Sequence, residues 1–357
     1  MKTRTQKLRA AGGAVAVLTS LFLATSCSNG VSSGEDGSGN VNLKVATYEG
    51  LWLEAPVYVA EERGIFADHG LEIERINIPT GPTQIAAAQS GSVDVVTLTT
   101  NAIMQSNAKG GLPFVQLIGN IQHQIYGVSG LESVMANCPY ANKPYPEPIK
   151  CMKGKRLGVT ALGSDNYNVA LSLLQDAGMS KDDVDILPLG GGTQLPLAMQ
   201  NGQADFAVNT EPGPTQVEKV WKIAVPVVPL QTGDTNKYFS TWSGSGFFAT
   251  EPAVEKKPQA YQRFVDAMVE ASDWAADPAN EQELVAIFKK YAPNTADETI
   301  RELAKTAPET FGARMNCDGV MNAAEWLAAT DQAVAEDLPT NCEDFVWSYT
   351  TEKYLVK

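Results

Sequence analysis

The stretch Asn42-Leu-Lys-Val-Ala-Thr-Tyr-Glu-Gly-Leu-Trp-Leu-Glu-Ala-Pro-Val-Tyr-Val-Ala-Glu-Glu-Arg-Gly-Ile-Phe66 sets a strand, a loop and a helix end to end. Residues 42–47 read as a β-strand, and residues 56–63 have the apolar spacing of a helix stopped by Gly64. The unit recurs downstream: strands over 71–78, 93–98 and 115–118 alternate with a helix over 83–90 and one from a cap at Asn101 to 109. A proline-rich segment interrupts, and the pattern restarts with strands over 156–160, 184–189 and 206–208. Helices over 165–177 and 194–201 separate these strands, Gly178 ends the first helix, and Pro214 opens another. Two β-rich runs follow, at 224–230 and 246–250. From Glu251 the chain reads as helix, broken near Pro278, Pro293 and Asp318. Two βα series with a helical tail predict an α/β protein of two lobes, each with a mostly parallel sheet, the tail packing back on the first.

The N-terminus reads as an address. Lys2, Arg4, Lys7 and Arg9 precede an apolar run over 11–24, too short to span a bilayer permanently, and Leu23-Ala-Thr-Ser-Cys27 closes it. A cysteine directly after small residues resembles a bacterial lipobox, although Ala24 stands where Leu or Val is usual. Residues 1–26 are therefore expected to be a lipoprotein signal peptide, with Cys27 lipidated at the outer face of the membrane or in the periplasm. Residues 27–40 have the composition of a flexible tether, Val31 being their single hydrophobe. Losing the leader's four basic residues takes the formal charge from −14 to −18. So acidic a chain is a poor partner for nucleic acid or anionic lipid, and a monomer held only by its lipid is expected.

Four further cysteines, Cys138, Cys151, Cys317 and Cys342, suit disulfides in an exported chain. Three pairings are possible; Cys138–Cys151 with Cys317–Cys342 closes the smallest loops, each worth about 3 kcal/mol in the chain-entropy model. With no CxxC motif, and with His69 and His123 the only histidines, neither a metal site nor a cofactor is expected.

The run from Tyr48 to Phe66, with Ala55-Pro56, the helix end Ala60 to Phe66 and Gly70-Leu71, resembles substrate-binding proteins of nitrate, sulfonate, taurine and thiamine-precursor importers. Gln89-Ser-Gly-Ser-Val-Asp94, Lys153-Gly-Lys-Arg-Leu-Gly158, Asn201-Gly-Gln-Ala-Asp205 and Glu211-Pro212 extend the resemblance over nearly the whole chain after the leader. It implies a type II periplasmic-binding-protein-like fold, with two α/β lobes joined by a two-segment hinge. Lobe I is expected from 41–121 and 244–357 and lobe II from 122–243, the hinge lying near 122–130 and 238–243. The resemblance also implies a ligand captured between the lobes and delivered to an ABC permease and its ATPase.

Ligands in open α/β sheets bind beyond the strand carboxyl ends, which here means loops 48–54, 80–83, 99–101, 163–167 and 210–214. The candidate ligand-binding residues are Tyr48, Glu49 and Trp52; Thr80 and Thr83; Thr99, Thr100 and Asn101; Ser164, Asp165 and Tyr167; Glu211; and, from a later segment, Trp242. Thr83, Asn101 and Asp165 also suit plain helix N-caps. None of the five loops contains Lys, Arg or His, while carboxylates and aromatic rings are frequent. A bare anion such as nitrate meets unfavourable charge there. A small organic solute with an amine or a planar ring fits better, held by Trp52 and Tyr167 and oriented by Glu211. A sulfonate or carboxylate end would rest on the hydroxyls of Thr83, Thr99, Thr100 and Ser164 at helix starts.

Catalysis is not expected. The chain lacks GxSxG, HExxH and GxxxxGK[ST] motifs, and Gly190-Gly-Gly192 reads as a turn. A thiamine-pyrimidine-forming branch of the resembled superfamily carries a cysteine-rich motif that this chain lacks. The alternative that stays open is an exported ligand sensor on the same fold.

Overall fold

The computed structural model describes residues 40–121, 123–228, 230, 235–240 and 244–356. The leader, Cys27, nearly all of the tether and Trp242 lie outside the described residues. Among these residues no helix is long and apolar enough to cross a membrane.

Ten strands form two five-stranded sheets. The first is ordered β2 (Leu71–Asn77), β1 (Val41–Thr47), β3 (Val95–Thr99), β10 (Ser245–Thr250), β4 (Phe114–Ile121). The second is ordered β7 (Asp185–Pro188), β6 (Arg156–Val159), β8 (Phe206–Thr210), β5 (Tyr126–Leu131), β9 (Ala224–Val228). β1 pairs in parallel with β2 from Val41 opposite Leu71 to Thr47 opposite Asn77. Its register follows from burial: Leu43 and Val45 are fully buried while Asn42 and Lys44 face water.

The sheets are mostly parallel, as the βα pattern predicts, but each holds one reversed strand. β10 runs antiparallel to β3 and β4, and β5 antiparallel to β8 and β9. Both are the strands the chain forms just after crossing between the sheets. A hinge placed near 122–130 therefore overlaps β5, which is locked between two neighbours, and of the described residues 123–125 are left between β4 and β5. On the return, Lys237–Ser240 is a short helix and β10 begins at Ser245.

The two crossovers touch. A Cβ on Gly244 would stand 2.2 Å from the His123 carbonyl oxygen and 2.7 Å from that of Ile121, so the outgoing and returning segments pack backbone to backbone. The helical tail supports both halves. Pro258–Ala276 packs on Ala55–Glu62 beneath the first sheet, and Phe264 meets Phe66 and Phe247. Asp297–Ala304 reaches residues 213–220 beside the second sheet, and Trp326 Nε1 donates to Ser172 Oγ at 3.1 Å. The break expected near Asp318 lies just earlier. Asn316 caps the helix Cys317–Ala329 by accepting from the Asp318 amide at 2.9 Å.

Both disulfides take the local pairing, Cys138–Cys151 with Cα atoms 5.7 Å apart and Cys317–Cys342 with Cα atoms 5.4 Å apart. The first fastens the proline-rich segment, whose Tyr145 hydroxyl donates to Asp176 on the helix Asp165–Asp176. Replacing Gly244 with Ala forces two carbonyls aside and is expected to lower unfolding free energy by about 1–3 kcal/mol. Urea denaturation checks this; an unchanged midpoint would show that the crossovers have slack.

Candidate ligand-binding cleft

The loop after β1 is built from its own side chains. Gly50 takes φ +76°, and its amide donates to the Tyr58 hydroxyl at 3.1 Å. Glu54, fully buried, accepts from the Tyr48 amide at 2.9 Å. Burial raises the Glu54 carboxyl to about 8, its bonds to Tyr48 and Thr97 and the more distant Arg75 only partly opposing this. Near neutral pH it is mostly an uncharged acid that holds the loop's backbone.

Beyond the strand ends lies a cavity of about 790 Å³ between the two sheets. Residues 48–51, 79–82 and 97–99 line it from the first sheet, and residues 163–166, 190–194 and Thr210 from the second. Lys109, Tyr126, Ser245 and residues 291–295 are also part of the wall.

Six of the sequence-derived candidates meet there: Tyr48, Glu49, Thr80, Thr99, Ser164 and Asp165. Glu49 is exposed and pairs with Asn77, whose Nδ2 donates to Oε2 at 3.1 Å. Thr99, rather than Asn101, caps the helix Thr100–Ala108, its Oγ1 accepting from the Ala102 amide at 3.4 Å.

Six others stand off the cavity wall. Trp52 is 2% exposed, edge-on to Phe288 at 4.9 Å and tilted against Phe311 at 5.2 Å, so its ring belongs to the core. Glu211 turns onto its own helix start, accepting from the Thr215 amide and hydroxyl at 3.0 Å each, and burial raises its pKa. Tyr167 packs half-buried on the core. Thr100 is buried and donates to Gln116 Oε1 at 3.3 Å, and exposed Thr83 bonds the Thr80 hydroxyl. Asn101 is buried one layer back and donates through Nδ2 to Asp165 Oδ1, a side-chain bond from one half of the molecule to the other. The Trp52 amide makes a second such link, donating to the Glu211 carbonyl at 3.1 Å.

Several wall residues escaped the sequence reading. The turn 190–193 follows β7 as the chosen loops follow their strands, so the same strand-end rule points to it. Tyr126 was hidden because β5 reads as a crossover. Tyr291 and Lys109 come from helix ends, where no local signal points at the cleft. Lys109 is exposed and is the wall's one cationic side chain among the described residues.

Burial raises the Asp165 carboxyl to about 6, against the lowering influence of Tyr126, Asn101 and Thr99. The Tyr48 and Tyr126 hydroxyls are pushed up by burial and by neighbouring acids, Asp165 among them. Neither histidine is at the cavity. His69 pairs with Glu270 at the surface, and His123 lies in the crossover against the Gln124 carbonyl. The wall thus offers hydroxyls, amides, rings and two carboxylates.

Residues 54–281 match the family model described as NMT1/THI5 like. The chain belongs to the NMT1/THI5-like family. A relative from Brucella abortus (strain 2308), named only as a candidate binding protein, is 24% identical over 292 residues, 81% of this chain and 83% of its own. A solved structure from Bordetella bronchiseptica RB50 superposes with TM-score 0.73 at 22% identity, covering 87% of this chain and 96% of that one. The alkanesulfonate-binding protein SsuA of Xanthomonas axonopodis pv. citri, bound to MOPS, gives TM-score 0.66 at 14% identity, covering 87% and 99%. This NMT1/THI5-like chain has the periplasmic-binding-protein fold, that of solute-binding components of ABC importers.

The raised acids make a stability prediction. Glu54 has an ordinary pKa of 4.5 and a folded one of about 8, so its contribution is complete below the lower value and is lost as pH rises through the upper. Asp165 acts in the same sense between 3.8 and about 6. The ligand-free protein is expected to melt higher at about pH 5 than at about pH 8.5, and Glu54→Gln should flatten the upper part of that slope. A melting temperature rising steadily over this range would contradict the assignment.

Proposed function

We propose that the protein is the extracytoplasmic solute-binding component of an ABC importer, and that it captures a small organic solute, ring-bearing or amine-bearing, between its two lobes. The observation that carries this is the cavity of about 790 Å³, walled by both sheets and bordered by tyrosine rings and carboxylates. Its size falls within the range of about 300–1,000 Å³ that suits organic ligands of drug-like size. Nitrate or bicarbonate has four heavy atoms and fills little more than the share of one or two waters, about 30 Å³ each. Such an anion would leave most of the cavity wet and would sit among acids. Tyr48 and Tyr126 replace Trp52 and Tyr167 as the rings against the solute, and Asp165 replaces Glu211 as the acid. An anionic end of the solute, like the sulfonate of the Xanthomonas protein's ligand, would rest on Thr80 and Thr99 at two helix starts.

Lobe I comprises the first sheet with most of the tail and lobe II the second sheet, with the paired crossovers as hinge. The closed, loaded form engages a permease, and no catalytic step is involved. A ligand at 100 times its Kd adds about 2.7 kcal/mol of stability, so a thermal-shift panel of amines, sulfonates, aromatic acids and inorganic anions would find the solute class. Small-angle scattering with the best hit should show compaction. Stabilisation by nitrate or bicarbonate alone, or no compaction with any stabilising solute, would reject the proposal.

The proposal includes a lipid anchor at Cys27. Cys27→Ser is expected to move the protein from the membrane fraction to the soluble one with ligand affinity unchanged. Continued membrane association would place the tether elsewhere.

A further inference from the structure

Asp165 is the first residue of the helix Asp165–Asp176, and it lines the cavity. Asn101 donates to Oδ1 from the other half of the molecule and the Tyr126 and Thr99 hydroxyls also act on the carboxyl group, while Oδ2 is buried with no donor at full hydrogen-bond geometry. A buried carboxylate oxygen left without a donor is costly, and the cost grows when no cation balances the charge. None does so here. The groups that act on Asp165 are uncharged, and Lys109 on the same wall is solvent-exposed. Tyr48 and Tyr126 line the same cavity as Asp165, and both hydroxyls are raised by burial and by its charge. A donor-bearing cation would satisfy Oδ2, neutralise the buried charge and lie against aromatic faces. A neutral donor would do only the first. A quaternary ammonium would lack the hydrogen Oδ2 needs. An anion would add repulsion.

From this geometry we infer that Asp165 selects solutes carrying an N–H cation, a protonated amine, amidine or guanidine, seated between Tyr48 and Tyr126. The inference rests on the cavity being the solute site and narrows the class of solute. It also gives Asn101 a role: by holding Oδ1 it turns the other oxygen free for the ligand and ties ligand capture to contact between the two halves.

Matched probes test it by isothermal titration: benzylammonium against benzyl alcohol, benzamidinium against benzamide, with benzyltrimethylammonium, benzoate and methanesulfonate alongside. At least one N–H cation is expected to bind with Kd below about 1 mM, and at least about 30-fold more tightly than its neutral isostere. Asp165→Asn should abolish that preference while circular dichroism shows an intact fold. The isostere comparison on the unaltered protein decides the matter even where that variant is unstable. Tighter binding of benzyl alcohol, benzamide, benzoate or methanesulfonate would overturn the inference, as would failure of every N–H cation to bind below about 1 mM or cation binding unchanged in Asp165→Asn. Compaction by benzoate or methanesulfonate alone would overturn it and leave the importer reading standing. Absence of compaction with any stabilising solute would remove the importer reading itself.

Discussion

β10 lies between β3 and β4, yet the chain forms it only after crossing to the second sheet, building its five strands and returning. β5, the first strand after the outgoing crossover, is set between β8 and β9. The second sheet is built in one passage of the chain, whereas the first is complete only when the chain has visited the second and returned, a long-range pairing problem. The same exchange makes the crossovers neighbours. With Gly244 against the carbonyls of Ile121 and His123, the two connecting segments form one narrow joint directly behind the cavity. On the proposed reading, opening of the cleft would turn about that joint. The bonds Asn101–Asp165, Trp52–Glu211 and Trp326–Ser172 are the ones to ask about when it opens.

Around the joint, the strand-to-helix loops hold charge in a low-dielectric setting without pairing it. Glu54 gives up its charge near neutral pH and serves as a fixed hydrogen-bonding post for the Tyr48 amide. Glu218, raised by burial to about 7 and bonded by the Ser129 hydroxyl at 2.6 Å, stands at the back of the second sheet in a comparable state. Asp165 differs from both because it faces the cavity with one oxygen unsatisfied. Surface ion pairs such as Arg156–Asp205 stabilise the outside of the lobes. The acids near the cleft are a cost that the apolar core elsewhere offsets.

The βα alternation of both lobes was legible in the sequence because apolar periodicity switches cleanly between strand and helix, and glycines such as Gly64 and Gly178 mark helix ends in left-handed conformations. β5 was not. Tyr126-Gly-Val-Ser-Gly-Leu131 has two glycines and weak alternation, and its strand state comes from the two neighbours that trap it. Choosing loops by the strand-end rule found half of the cavity candidates, since that rule fixes where a loop lies and not where a side chain turns. Trp52 and Glu211 sit in the right loops, but Phe288 and Phe311 recruit the first into the core and Thr215 captures the second. Phe288 and Phe311 come from the helical tail, whose docking no local pattern encodes, while Thr215 lies four residues after Glu211 and captures it locally.

Charge at long range agrees with charge at the site. A chain at −14, with carboxylates on the cleft wall and a lone lysine at its exposed edge, has a field that draws cations toward the cleft and slows anions. The Xanthomonas neighbour binds an alkanesulfonate on the same fold, which shows how little the fold fixes about ligand charge. What differs is local: which side chains fill the helix starts. Thr80 and Thr99 bring hydroxyls to the starts of two helices on the wall, and Asp165, first residue of a third, brings a carboxylate that Asn101 bonds from the other half. One side of the cleft therefore presents hydroxyls at its helix starts and the other an acid. On the proposed reading, that division would suit a solute with a cationic end facing Asp165 and a polar end facing the hydroxyls.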